Sequence, residues 1–82
     1  MFKVEVIVTL RTSILDPQGK TVEHAMHSLR MNTINNVRVG KVFHCTINTS
    51  SYDEAKKSVE EACKKVFTNP VMEDYSYKIE KM

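Results

Sequence analysis

Apolar and polar positions alternate from the first residues of the chain. Phe2, Val4, Val6, Val8 and Leu10 share one face and Lys3, Glu5, Thr9 and Arg11 the other, with Ile7 out of place. A period of two in a segment rich in β-branched residues predicts a half-buried strand. Asp16-Pro17-Gln18-Gly19 follows. It fits a type I turn, with Asp at i, Pro at i+1 and Gly at i+3. It fits a helix start as well, with Asp16 as N-cap and Pro17 at the first helical position. Both readings put a helix directly after it. There Val22, Ala25, Met26 and Leu29 recur at i, i+3, i+4 and i+7, one apolar stripe. Asn32 to Asn36 supplies turn chemistry.

Alternation resumes at Val37. Val37, Val39, Phe43, Cys45 and Ile47 fall on one face, interrupted by Lys41. A hairpin turning at Gly40-Lys41 would split that apolar set, so the pattern predicts one long strand with a bend or bulge at Gly40. Ser51-Tyr52-Asp53-Glu54 has the form of a capping box. The helix it opens carries Ala55, Val59, Ala62, Cys63, Val66 and Phe67 as its buried stripe. Asp53/Lys57, Glu60/Lys64 and Glu61/Lys65 stand as i,i+4 pairs in the favourable order, and Asn69-Pro70 ends the helix. Tyr75, Tyr77 and Ile79 then alternate with polar residues as a short last strand.

The order is β-α-β-α-β in one domain, residues 1–82. It predicts an α+β two-layer sandwich related to the ferredoxin-like folds: an antiparallel sheet with a long bent middle strand and two helices on one face. The middle strand would run about 11 residues, roughly 37 Å, against a last strand about half as long. Part of it would then lack a partner within the chain, and an unpaired edge is a template for another chain. The expectation is a homo-oligomer, dimer or tetramer, paired around residues 38–47.

Composition narrows the partners. The formal charge is +2, split as +3 in residues 1–42 and −1 in 43–82, with no like-charge stripe. Nucleic acid is therefore a poor partner. No stretch has the length and apolarity of a membrane span, and the N-terminus has no signal-peptide pattern. Cys45 and Cys63 both fall on apolar faces, so they are expected as free thiols in a cytoplasmic protein.

No catalytic, cofactor or metal site emerges. His24 and His27 are three apart on the first helix, opposite its apolar stripe, which places both in solvent with no third ligand near in sequence. His44 and Cys45 are strand neighbours and point to opposite faces, so they are not a nucleophile pair. With two glycines in the chain, there is no phosphate-cradling loop. The aromatics form no base-stacking platform.

Several segments together resemble the PurS family, the small subunit of phosphoribosylformylglycinamidine (FGAM) synthase. They are Phe2-Lys3-Val4-Glu5-Val6 with Val8-Thr9-Leu10, Ile14-Leu15-Asp16-Pro17-Gln18-Gly19, Val22-Glu23-His24-Ala25, Val37-Arg38-Val39-Gly40-Lys41 and Asn69-Pro70-Val71-Met72-Glu73-Asp74-Tyr75. The resemblance implies a non-catalytic bridging subunit of a ligase in purine biosynthesis. That synthase converts formylglycinamide ribonucleotide, ATP and glutamine to the amidine, glutamate, ADP and phosphate. PurL is implied as the partner that uses ATP and Mg, PurQ as the glutaminase, and ammonia passes between them. The partner contacts implied by position are Asp16, Pro17, Gln18 and Gly19, then Arg38, Gly40 and Lys41, then Asn69, Pro70, Asp74 and Tyr75. Arg38 and Lys41 stand out, because a strand does not need cations for its own sake.

Two residues depart from the family pattern. Leu29-Arg30 stands where the family has Leu-Gly, so the first helix is expected to end through Asn32 in a left-handed cap. His44 stands where Glu is common. Two rival functions remain to be distinguished: a small-molecule-binding regulatory module of ferredoxin-like type, which would need a pocket at a dimer interface, and an RNA-binding α+β module.

Overall fold

The computed structural model describes all 82 residues. Its elements are β1 (Phe2–Leu10), α1 (Pro17–Ser28), β2 (Gly40–Ile47), α2 (Tyr52–Ala62) with a π turn continuing it (Cys63–Phe67), and β3 (Glu73–Lys81). The β-α-β-α-β order and the antiparallel sheet are those the pattern predicts. The sheet order is β2-β1-β3, with β1 paired along its length to both neighbours.

The core lies between one face of this sheet and α2. Val4, Val6 and Val8 of the central strand are fully buried with Ala55, Val59 and Cys63 of the helix layer. Phe43, Cys45 and Ile47 flank them from β2, and Tyr75, Tyr77 and Ile79 from β3. Cys45 and Cys63 are free thiols. Ser51 caps α2 by accepting from the Glu54 amide at 3.3 Å. The box closes through a relay: Thr49 Oγ1 accepts from the Ser51 amide and donates to Glu54.

The stripe of α2 holds as far as Cys63 and then shifts. The π turn widens the helix by one residue, and the Thr68 amide and hydroxyl both donate to the Cys63 carbonyl. Widening slows the rotation of successive side chains about the axis. Phe67 is thereby brought onto Phe43, rings stacked at 4.4 Å, while Val66 is turned out to 76% exposure. Val66 is thus not a core residue, although a uniform helical period makes it one.

Three further expectations are corrected. Residues 37–39 are not strand, because their amides bond elsewhere: Val37 N–H donates to Glu23 and Val39 N–H to Asp16. β2 begins at Gly40, where a Cβ would lie 2.7 Å from the Val8 carbonyl oxygen. β3 has nine residues, not half the length of the middle strand. β2 therefore pairs over its whole length with β1, and the unpaired edges are the outer sides of β2 and β3.

The third correction concerns α1. Its contacts run to the segment before β2, and its stripe is not buried: Val22, Ala25 and Leu29 are exposed, Leu29 to 73%. The molecule is correspondingly extended, 51 × 27 × 14 Å. Its radius of gyration is 16.3 Å, where a compact chain of this length has about 12 Å. Its accessible surface is 6168 Å², against roughly 5,000 Å² for a compact monomer of this mass.

Candidate interaction surface

The sheet register gathers the sequence-predicted residues at one end of the molecule. Thr9, near the end of β1, faces Gly40 at the start of β2 and Asp74 at the start of β3. The start of α1 and the 69–72 loop close on the same end through the bonds described below. Segments far apart in sequence thus form one corner.

The Asp16–Gly19 segment is a helix start, which settles the choice between turn and cap. Asp16 is 3% exposed, and its carboxylate accepts from the Gly19 amide at 3.1 Å and the Val39 amide at 2.7 Å. The Val39 amide above all, with the Gly19 amide and the nearby Arg38 charge, holds its carboxyl below the usual aspartate value. Pro17 takes the first helical position. Gly19 is required by contact: a Cβ there would overlap the Val37 carbonyl oxygen. Gln18 is exposed.

Glu23 continues the clamp two turns on by accepting from the Val37 amide at 3.1 Å, which also lowers its pKa. His27 is half-buried rather than free in solvent, with Nε2 2.8 Å from the Ile34 carbonyl oxygen. The helix then ends in a Schellman motif. Met31 N–H donates to Met26 and Arg30 N–H to His27. Arg30 is the left-handed residue, φ 67°, so it adopts the conformation that glycine would have supplied. Asn32, expected in that role, has no positive φ; Asn36 does, at 58°.

The cations serve the corner itself. Arg38 donates to the carbonyls of Arg11 at 2.9 Å and Ile14 at 2.8 Å, tying down the β1–α1 connection. Lys41 lies 3.5 Å from Glu73 and 5.9 Å from the centre of the Phe43 ring, across the end of the core. A local structural purpose therefore exists for both, contrary to the sequence argument. Arg11 was not among the predicted residues, yet it joins three segments. Its guanidinium reaches the Pro70 carbonyl at 2.6 Å and Asp74 at 3.4 Å, and its carbonyl receives Arg38. No local pattern marks it, because Pro70 lies 59 positions away and Asp74 further still.

Asn69 and Glu73 order the loop before β3. Glu73 accepts from the Asn69 amide at 2.7 Å, and Asn69 Oδ1 accepts from the Val71 amide at 3.0 Å. Val71 and Met72 remain exposed beside it. Tyr75 turns away from the corner toward α2. Its hydroxyl and that of Tyr77 donate to Glu60 at 2.8 and 2.6 Å. The two phenols lower the Glu60 pKa, and the Glu60 bond with burial pushes Tyr77 up to about 12. A shallow groove of about 350 Å³ runs between Asp16–Gln18 and Val39–Lys41. Its polar rim and adjoining exposed apolar residues suit a protein surface more than a small ligand. No helix is long and apolar enough to cross a membrane.

Comparison with known proteins gives one consistent result. The family model for PurS, phosphoribosylformylglycinamidine (FGAM) synthase, matches residues 3–81. The phosphoribosylformylglycinamidine synthase subunit PurS of Bacillus subtilis is 45% identical over 100% of this chain and 96% of its own length. The crystal structure of Methanocaldococcus jannaschii PurS superposes with a TM-score of 0.89 at 35% identity, covering 100% of this chain and 99% of that one. A chain in the structure of PurLQS from Thermotoga maritima superposes with a TM-score of 0.88 at 28% identity, covering 95% of each.

Proposed function

The chain belongs to the PurS family of FGAM synthase subunits, and from that premise we propose that it bridges the synthetase and glutaminase subunits and aids ammonia transfer between them. Residues 1–82 act as one PurS-like unit in the cytoplasm. ATP and Mg belong to the PurL partner, and glutamine hydrolysis to PurQ. The observation that carries this reading is the corner. Five segments converge there into a surface whose charged groups are ordered by hydrogen bonds within the chain, with apolar side chains exposed beside them. Such a surface is preorganised for a protein partner.

The chain also works as a homo-oligomer. Its excess surface and the exposed stripe of α1 support this, and the outer edge of β2 offers its free backbone groups to a second copy. The corner is tested at Gln18, whose side chain is exposed and makes no hydrogen bond in the chain. Gln18→Arg is expected to weaken binding to the PurL and PurQ proteins of the same organism at least tenfold, with an unchanged melting temperature. Unchanged complex affinity by sedimentation velocity would remove the corner from the interface.

A further inference from the structure

The turn that leads into β3 presents apolar side chains on a closed polar frame. Pro70 is exposed, Val71 is 75% exposed and Met72 42%. Their backbone is almost wholly committed within the chain. The amides of Asn69, Val71 and Met72 donate to Glu73 or to Asn69, and Pro70 has no amide hydrogen. The carbonyl of Asn69 accepts from Met72 and Glu73, that of Pro70 from the Arg11 guanidinium, and that of Met72 from the Arg11 amide. The Val71 carbonyl is the one backbone group of residues 69–72 with no partner in the chain.

The charges around the turn are balanced in the same way. Arg11 faces Asp74 at 3.4 Å, and Lys41 faces Glu73 at 3.5 Å. Arg38 adds to the Val39 and Gly19 amides in lowering the Asp16 pKa. Lys64, which lines the hollow beside Pro70, adds to the Tyr77 and Tyr75 hydroxyls in lowering that of Glu60. Each of these cations thus has an acid of its own chain beside it. A partner meeting this surface finds no charge to neutralise and few polar groups to satisfy, and what it gains is apolar burial.

We propose that the corner engages a partner subunit by seating Val71, flanked by Pro70 and Met72, in an uncharged apolar pocket, while the charged residues around the turn brace it from within. This rests on the bridging role proposed above and names the chemistry of its contact. The turn is held in place before any partner arrives, so little ordering is lost on binding. Charged residues are depleted at the centre of protein interfaces and methionine is enriched there. The occupant is a partner subunit and not a second copy. The turn stands on the β3 side of the sheet, across β1 from the free edge of β2 that a second copy would take.

The test titrates the full chain into the PurL and PurQ proteins of the same organism, by calorimetry and sedimentation velocity. Val71→Asp is expected to weaken the complex about a hundredfold or more, because the pocket would bury an unpaired charge. Val71→Thr, which keeps the shape and adds a hydroxyl, is expected to weaken it about tenfold. Both variants are expected to keep the wild-type melting temperature and homo-oligomer mass. Wild-type affinity is expected to change less than about threefold between about 0.05 M and about 0.5 M salt, with a negative heat-capacity change on binding. Affinity that drops about tenfold or more over that range would overturn the uncharged pocket. If Val71→Asp binds as the wild type does while Gln18→Arg does not, the corner stands and the Val71 anchor is wrong. If both bind as the wild type does, the corner itself is not the interface. A Val71→Asp chain whose own oligomer dissociates would give the turn to a second copy and overturn the proposal.

Discussion

The two helices of this chain are held in opposite ways. α2 is fixed by side chains: Ala55, Val59 and Cys63 press on the valines of β1, and Glu60 takes two tyrosine hydroxyls from β3. α1 is fixed by its ends and backbone. Asp16 and Glu23 hold the amides of Val39 and Val37, and Gly19 lets that segment approach closely. Its apolar stripe meets little. The difference shows that an amphipathic pattern specifies a helix without specifying what the helix buries against. Hydrogen bonds can set a helix in place while its apolar face stays exposed.

The comparison is broken most forcefully in the core. Val6→Ala removes methyl groups from a fully buried site on the central strand and is expected to cost about 2–3 kcal/mol in urea unfolding. A loss under about 1 kcal/mol would mean that the sheet–α2 half is not the source of stability. In the α1 half the corresponding lesion is a backbone one. Gly19→Ala forces a Cβ against the Val37 carbonyl and is expected to cost about 2 kcal/mol, with hydrogen exchange rising first at residues 37–39. Uniform exchange across the chain would contradict a local clamp.

Glu60 sharpens the contrast through pH. Its folded pKa lies below the ordinary glutamate value, so its contribution is present above that value and lost as pH falls through the folded pKa. Tyr77, raised to about 12, contributes fully below the unfolded tyrosine pKa of about 10, and that contribution is lost as pH rises through 12. Glu60→Gln is expected to lower Tm by about 5 °C at neutral pH, with the gap closing at both extremes. A gap constant with pH would contradict the ionised network. Smallest in size is Arg30→Gly. Relief of the left-handed arginine is expected to raise stability by about 1 kcal/mol, and no gain would mean that the cap is unstrained.

Element order and identity were legible in the sequence because the periods of two and of 3.6 are properties of neighbouring residues. The start of α2 was also legible, since Ser51 acts within three residues of itself, whereas Asp16 fitted a turn and a helix cap equally until the structure showed it capping α1. What escaped depends on contacts between distant segments. Val37 and Val39 read as strand until Glu23 and Asp16 take their amides. Val66 reads as core until the π turn changes the phase. The candidate interaction residues came from a family resemblance, and the register sets Gly40 and Asp74 beside Thr9 at one end of the sheet. Their mutual bonds, with Arg11 at the centre, had no sequence signal. Arg38 and Lys41 read as free cations because their acceptors lie far along the chain.

The bridging role is tested most directly by FGAM formation from the PurL and PurQ proteins of the same organism, with and without this chain. Glutamine and ammonia serve as alternative nitrogen sources. The account predicts that glutamine-dependent turnover requires the chain while ammonia-dependent turnover by PurL alone does not. Glutamine-dependent turnover at the same rate in its absence would contradict it.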